Sequence, residues 1–305
     1  VTFPVDQEPI DAPTASAVME RAERENFPVA GRLLGRRLRR HLLAVYGFAR
    51  LADELGDSFA GDRLAALDRL EDDLDRAYRG QAQHPLLKRL APTLRECRLP
   101  REPFVRLIEA NRLDQRVGRY ETWEQLRAYC ALSANPVGEL VLGVLGQATP
   151  AHVALSDDIC TALQLVEHCQ DVPEDLARGR VYLPAEDLTR FGCTLSNPFD
   201  PSDPSNPSAP SDLADPSALG GGGPLRATLA FECSRARELL ACGAPLIDRL
   251  HGWRARLAVT AFVAGGRAAL GTLERAGYDV SAGPPSAGAL RRALALGATI
   301  VERRR

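Results

Sequence analysis

Several features that mark protein classes are missing from this sequence, and each absence excludes something. The seven cysteines, Cys97, Cys130, Cys160, Cys169, Cys193, Cys233 and Cys242, contain no C-x-x-C pair and are odd in number. Neither a zinc site nor a disulfide framework is indicated, and the thiols read as reduced and partly buried. There is no basic surplus: 38 Lys and Arg against 40 Asp and Glu leave a net charge of −2. That balance argues against a nucleic-acid partner, which would need cations to neutralise many phosphates. No unbroken apolar run reaches the ~18 residues of a membrane span; the best stretch, Leu140 to Ser156, is interrupted by Gln147, Pro150 and His152. The first residues carry acids and no apolar signal-peptide core, and β-branched alternation is nearly absent, leaving strands little to build on. The chain reads as cytoplasmic, with peripheral contact at the inner face of a membrane as its closest approach to lipid. The dense run Arg32, Arg36, Arg37, Arg39, Arg40 is a solvated helix face or a site of attraction to anionic substrate or headgroups.

What is present is helical. With 305 residues, 45% of them hydrophobic, the chain can bury a large core. Apolar residues recur at helical spacing, with Leu42, Val45, Tyr46 and Ala49 preceding Asp53 and Asp57 on one side. Leu64, Leu67, Leu70, Leu74 and Tyr78 form the stripe of a helix over 62–79. Further helices are expected after Ser16 and over 85–96, 101–117, 122–147, 150–171, 225–250, 252–276 and 286–303. The fold class is all-α. One segment, Thr194 to Gly223, is rich in Pro, Ser, Asp and Gly and cannot bury enough apolar surface to order itself. We read it as a disordered loop within a single domain spanning residues 1–305, because the roughly 80 residues after it lack a self-sufficient core.

Two acidic segments stand out, Asp53-Glu54-Leu55-Gly56-Asp57 and Asp171-Val172-Pro173-Glu174-Asp175. Aspartates four apart on a helix lie about 5–6 Å apart on one face, a span suited to holding Mg²⁺. Spacing alone decides little, since about five such acidic pairs arise by chance in a chain this acidic. Asp68/Asp72 and Glu71/Asp75 match too, and their arginine neighbours mark a solvated charged face. The two segments differ in company. Tyr46, Ala49 and Arg50 precede the first at helical intervals, and Gln164, Glu167 and His168 precede the second. Polar groups on an apolar stripe are costly unless paired or metal-bound, so the choice lies between a buried salt-bridge network and a metal site.

Opposed across an apolar cavity, such faces would let Mg²⁺ bridge carboxylates to a diphosphate and release a carbocation into a dry pocket. Arg50 and Arg180 add bidentate donors for phosphate. The pocket then needs aromatic faces rather than bases, and Phe27, Tyr46, Phe48 and Phe262 are the candidates.

Tyr46-Gly-Phe-Ala-Arg50-Leu-Ala-Asp53-Glu-Leu-Gly-Asp57 and Gln170-Asp171-Val-Pro-Glu-Asp175-Leu-Ala-Arg-Gly-Arg180-Val-Tyr182-Leu-Pro184 resemble the two aspartate-rich signatures of the squalene/phytoene synthase family. Glu25-Asn26-Phe27-Pro28-Val29-Ala30, Arg119-Tyr120-Glu-Thr-Trp123 and Ser133-Ala-Asn135-Pro136-Val-Gly138 resemble its hydroxysqualene synthase branch in bacterial hopanoid biosynthesis. The resemblance implies an isoprenoid synthase-type helical bundle around a central cavity. It implies that Asp53, Asp57, Asp171 and Asp175 bind Mg²⁺-diphosphate, with Arg50 and Tyr46 assisting and Glu167 as a further ligand where the family usually has Asn. Asn26, Phe27, Asn135, Gly138, Gln164, Glu167, Arg180 and Tyr182 would contact the substrate. The branch implies presqualene diphosphate as substrate, which loses diphosphate, rearranges and is captured by water as hydroxysqualene. Tyr46, Asn135 and Gln164 are candidates for holding that water. Gly31 stands where the branch often has Ser. Two alternatives stay open: a head-to-head synthase joining farnesyl or geranylgeranyl diphosphates, and a catalytically silent helical assembly protein of the same fold. The oligomeric state is not given by the sequence.

Overall fold

The computed structural model describes residues 34–195, 223–281 and 283. Asn26, Phe27, Gly31, the helix after Ser16, the loop over 196–222 and the last expected helix lie outside the described residues. Twelve helices follow in order among the described residues: α1 (Arg36–Asp57), α2 (Arg63–Tyr78), α3 (Pro85–Cys97), α4 (Glu102–Leu113), α5 (Trp123–Ser133), α6 (Asn135–Val144), α7 (Pro150–Gln170), α8 (Val172–Ala177), α9 (Ala185–Arg190), α10 (Gly223–Gly243), α11 (Leu246–Arg249) and α12 (Trp253–Arg275). The only β pairing among these residues is an isolated bridge between Arg119 and Val181.

Local chemistry explains where the helices start. The Asp62 carboxylate accepts the Ala65 amide at 3.0 Å, and the Thr122 and Thr149 hydroxyls accept the amides of Gln125 and His152, each satisfying an otherwise orphaned donor. Pro85 and Pro150 occupy first-turn positions, where a missing N–H costs nothing.

Two expected helices break, each near a proline, and a third proline sets the end of a helix found within one residue of its expected bounds. The segment expected over 122–147 splits at Ala134 because Pro136 carries no N–H for Leu132 and its ring clashes with that carbonyl. Pro245 divides the segment over 225–250 in the same way. Pro173 restricts Val172, so α7 ends at Gln170 and Asp171 occupies the junction with α8 (φ −101°, ψ 13°) rather than a helix interior. The expected helix over 101–117 ends at Leu113.

The apolar stripes pack into two principal cores. One joins α1, α2, α3 and α4 through Phe48, Leu51, Leu70, Leu87 and Ile108. There Phe48 meets Phe104 edge to face at 4.9 Å, a favoured aromatic geometry. The other surrounds α7, with Leu126, Leu165, Leu229, Val263 and Leu273. Helix α7 packs most extensively on α10. The approach is close because Gly243 offers no Cβ; one there would lie 2.6 Å from the Leu155 carbonyl oxygen. The acidic face of α2 is not simply solvated, because α4 and its N-cap oppose it with arginines. Arg101 pairs with Glu71 and Asp75, and Arg112 with Asp68 and Glu71, while Asp72 remains exposed.

Candidate functional site

A cavity of about 310 Å³ is lined from both cores. On α1, Leu42, Tyr46, Ala49, Arg50 and Asp53 share one face by helical spacing and turn into it; α7 answers with Ile159, Cys160, Leu163, Gln164 and Glu167. Val137, Gly138 and Val141 of α6 and Val259 and Phe262 of α12 complete much of the apolar wall. Tyr46, Arg50, Asp53, Gln164 and Glu167, which helical spacing put on two faces, line one cavity, and Gly138, named only by the family resemblance, lines it with them. Phe262 joins them, but Phe48 does not: it is wholly buried in the core against Phe104.

Asp53 reaches the cavity with half of its side chain exposed, between Arg50 Nη1 at 3.9 Å and Asn111, whose Nδ2 donates to Asp53 Oδ1 at 3.3 Å. Desolvation by the protein packed around it raises the carboxyl to about 6 against the opposing pull of Arg50. Asn111 fits there because residue 56 is glycine; a Cβ would stand 2.2 Å from its Oδ1.

Asp57, the last residue of α1, accepts from Arg180 Nη1 at 2.6 Å. Arg180 follows the turn after α8, and the Val181 amide donates to the Gly118 carbonyl at 2.7 Å. One guanidinium therefore ties the two acidic segments together across the fold. Asp175 is buried in α8, and its amide donates to the Asp171 carbonyl at 2.8 Å, so the two remain one turn apart despite the break at Gln170. Burial, then repulsion from Asp171, raises the Asp175 carboxyl to about 8; burial and Glu174 raise Asp171 to about 6.

Asn135 and Tyr182 do not line the cavity. Asn135 is buried and accepts the Thr161 hydroxyl at 3.0 Å. The Tyr182 ring stacks on His168 at 4.0 Å, and its hydroxyl donates to Asp114 Oδ1 at 3.0 Å while Tyr129 donates to Oδ2 at 2.7 Å. Asp114 is a residue the sequence reading missed. It belongs to no acidic pair, and only its approach to Arg180, which opposes the burial that raises it to about 6, joins it to the site. His168, which lies 3.9 Å from Asp175, is driven down to about 3 by burial and is therefore a neutral ring.

Among the described residues no three His, Cys, Asp or Glu side chains converge as a ready-made metal site. The donor set nonetheless suits a hard divalent cation. Asp53, Asp171 and Asp175 are carboxyls that burial pushes toward the neutral form, so a divalent cation held by them would favour their ionised form instead. Two-carboxylate sites of this kind take their remaining ligands from substrate phosphate and water.

Of the four motif aspartates only Asp53 lines the cavity; Asp57, Asp171, Asp175 and Arg180 lie outside its lining. A helical bundle around such a cavity is the architecture of the isoprenoid synthases. The chain belongs to the squalene/phytoene synthase family, whose profile matches residues 21–294. It is 35% identical to hydroxysqualene synthase of Rhodopseudomonas palustris over 246 residues, 74% of this chain and 83% of that protein. It is 37% identical to hydroxysqualene synthase of Zymomonas mobilis over 177 residues, 56% of this chain and 58% of that protein. The crystal structure of squalene synthase HpnC from Alicyclobacillus acidocaldarius superposes with a TM-score of 0.72 and 40% identity, covering 89% of this chain and 97% of that one. A dehydrosqualene synthase, at 21% identity and a TM-score of 0.75, shares the fold. No described helix is long and apolar enough to cross a membrane.

Proposed function

We propose that this protein is a hydroxysqualene synthase, converting presqualene diphosphate and water into hydroxysqualene and diphosphate. The observation that carries the reading is an apolar cavity whose polar lining is Tyr46, Arg50 and Asp53 from α1 and Gln164 and Glu167 from α7, the helix that leads into the second acidic segment. The named relatives and the structural neighbour at 40% identity support the branch.

Asp53, Asp57, Asp171, Asp175 and Glu167 are the residues that would hold Mg²⁺, which when bound would neutralise charge developing on the departing diphosphate. Arg50, already at the cavity edge, adds a guanidinium for phosphate oxygens. Arg180 aligns the second acidic segment on the first by gripping Asp57. The hydrocarbon lies against Leu42, Val141, Leu163 and Phe262, where no base competes for a cation and an aromatic face stabilises it. Asn26, Phe27, Asn135 and Tyr182 complete the proposed substrate shell, Asn135 and Tyr182 as supports behind the wall.

An apolar substrate of this size partitions into lipid, and the surface offers a means of reaching it. Arg36, Arg39, Arg40 and Arg89 frame a groove floored by Leu43, Ala44, Leu86 and Pro92. A cationic rim around an apolar floor is complementary to an anionic bilayer, and we assign this face to peripheral contact with one.

The test is incubation of the purified protein with Mg²⁺ and either presqualene diphosphate or farnesyl diphosphate, followed by identification of the C30 product. Hydroxysqualene from presqualene diphosphate is the expected result. A C30 or C40 hydrocarbon built from two prenyl diphosphates would instead favour a head-to-head synthase. Release of no diphosphate from either substrate would mark a silent relative.

A further inference from the structure

An alcohol product requires one water held against a wall that otherwise excludes it, and such a water needs polar partners of its own. Two of the groups that the sequence nominated for this task are committed elsewhere. Asn135 Oδ1 accepts from Thr161 behind the cavity wall, and Gln164 Nε2 lies 3.3 Å from His168 Nε2. Ser156, on the wall, contacts Cys160 Sγ at 3.9 Å.

Ser133 differs. It is the last residue of α5, it lines the cavity beside Ala134 and Val137, and its Oγ is buried with no hydrogen-bond partner among the described residues. A buried hydroxyl without a partner costs about 1–3 kcal/mol, and helical serines ordinarily avoid this by bonding back to the carbonyl one turn earlier. This one is satisfied if a water stands beside it in the cavity.

We propose that Ser133 positions the water that captures the product cation. The inference rests on the proposed hydroxysqualene synthase activity. In the step it serves, a lone pair of the water oxygen forms the C–O bond to the cationic carbon. The extra proton then passes to the diphosphate released earlier in the same turnover, so no further reactant is needed. Ser133 takes no part in ionisation, which belongs to the acidic end of the cavity, and its effect falls on how the cation is consumed.

The experiment compares wild type, Ser133→Ala and Ser133→Thr with presqualene diphosphate and Mg²⁺ in ¹⁸O-labelled water, measuring diphosphate release and the share of labelled alcohol among C30 products. Ser133→Ala is expected to release diphosphate within twofold of wild type while its alcohol share falls about tenfold in favour of hydrocarbons, the effect of one lost hydrogen bond to the attacking water. Ser133→Thr, which keeps the hydroxyl, should restore most of the alcohol. An unchanged alcohol share in Ser133→Ala overturns the proposal, as does a parallel loss of diphosphate release and alcohol in both variants, which marks a structural role. Wild type that forms no labelled alcohol refutes the parent reading, and the water seat with it.

Discussion

Gly138 is the position where a single methyl group should report most directly on the cavity. It lies on α6 where that helix meets α7, and a Cβ built there would fall 2.2 Å from Ser156 Oγ and 2.6 Å from Cys160 Sγ. Ordinary contacts between such atoms begin at about 3.5 Å, so Gly138→Ala forces α6 and α7 apart by about 1 Å or pushes two side chains into the cavity they line. Overpacking of this kind costs about 1–3 kcal/mol, and the better helix propensity of Ala returns up to about 1 kcal/mol. The net loss is about 1–2 kcal/mol, a fall in Tm of a few degrees for a chain of this size. Because the displaced atoms belong to the wall, kcat/KM should fall further than stability does. Differential scanning calorimetry and steady-state diphosphate release measure the two effects. Adding Ser156→Ala removes the closer clash, so the double variant should recover part of the lost Tm, a coupling that unrelated sites would not show. A Gly138→Ala protein with unchanged or raised Tm and full turnover would refute the packing argument.

Asp53→Asn and Asp171→Asn should each lower diphosphate release by about a hundredfold or more with circular dichroism unchanged, whereas Asp72→Asn, on the exposed side of α2, should leave the rate as it is. Glu232 is fully buried beside Arg235, and burial raises its carboxyl to about 8 from an ordinary 4.5. The folded protein therefore keeps a proton that the unfolded chain releases above its ordinary value. The stability this contributes is complete below about pH 4.5 and is lost as pH rises through about 8. Glu232→Gln, neutral throughout, should thus gain in Tm relative to wild type between pH 5 and pH 8.5, and a constant difference would refute the assignment. Reversing Arg36, Arg39 and Arg89 to Glu should weaken sedimentation with phosphatidylglycerol vesicles by about tenfold or more, with no change on phosphatidylcholine; equal binding to both lipids would remove the bilayer assignment.

The helices were legible where periodicity and a capping residue agree. Over 62–79 the leucine stripe and Asp62 predict α2 to within a residue at each end, and Pro150 with Thr149 does the same for the start of α7. The expected helices over 122–147 and 225–250 each contain a proline that periodicity overlooks, Pro173 ends the one over 150–171 within a residue of its expected bound, and the one over 101–117 ends early at Leu113 with no proline there. An apolar stripe passes through Pro136, Pro173 or Pro245 unbroken because burial depends on side chains, while the helix stops because the backbone loses a donor. The break matters most at Asp171, where it places the first aspartate of the second segment outside the helix and leaves a single backbone hydrogen bond to preserve the one-turn spacing.

The site was legible in proportion to how locally it is built. Tyr46, Arg50 and Asp53 face one way because one helix carries them, and Gln164 and Glu167 do so for the same reason. What spacing cannot encode is the joint between the two segments. Arg180 reaches Asp57 across 123 positions of sequence, and Asp114 collects two tyrosine hydroxyls from different parts of the chain. Neither acid nor arginine carries a local signature of that role, since an isolated Asp in an amphipathic helix end is indistinguishable from a solvated one until its burial is known. The burial is what gives these groups their leverage. Carboxylates gathered in partly buried positions repel one another, and the fold answers with Arg50 beside Asp53, Arg180 on Asp57, and Arg178 near Asp171 and Asp175. Under the proposed function, acidic groups of this kind would be stabilised when cations and a polyanionic ligand arrive together. On the proposed function, the same arrangement would direct a diphosphate toward the acidic residues and its hydrocarbon into the apolar cavity.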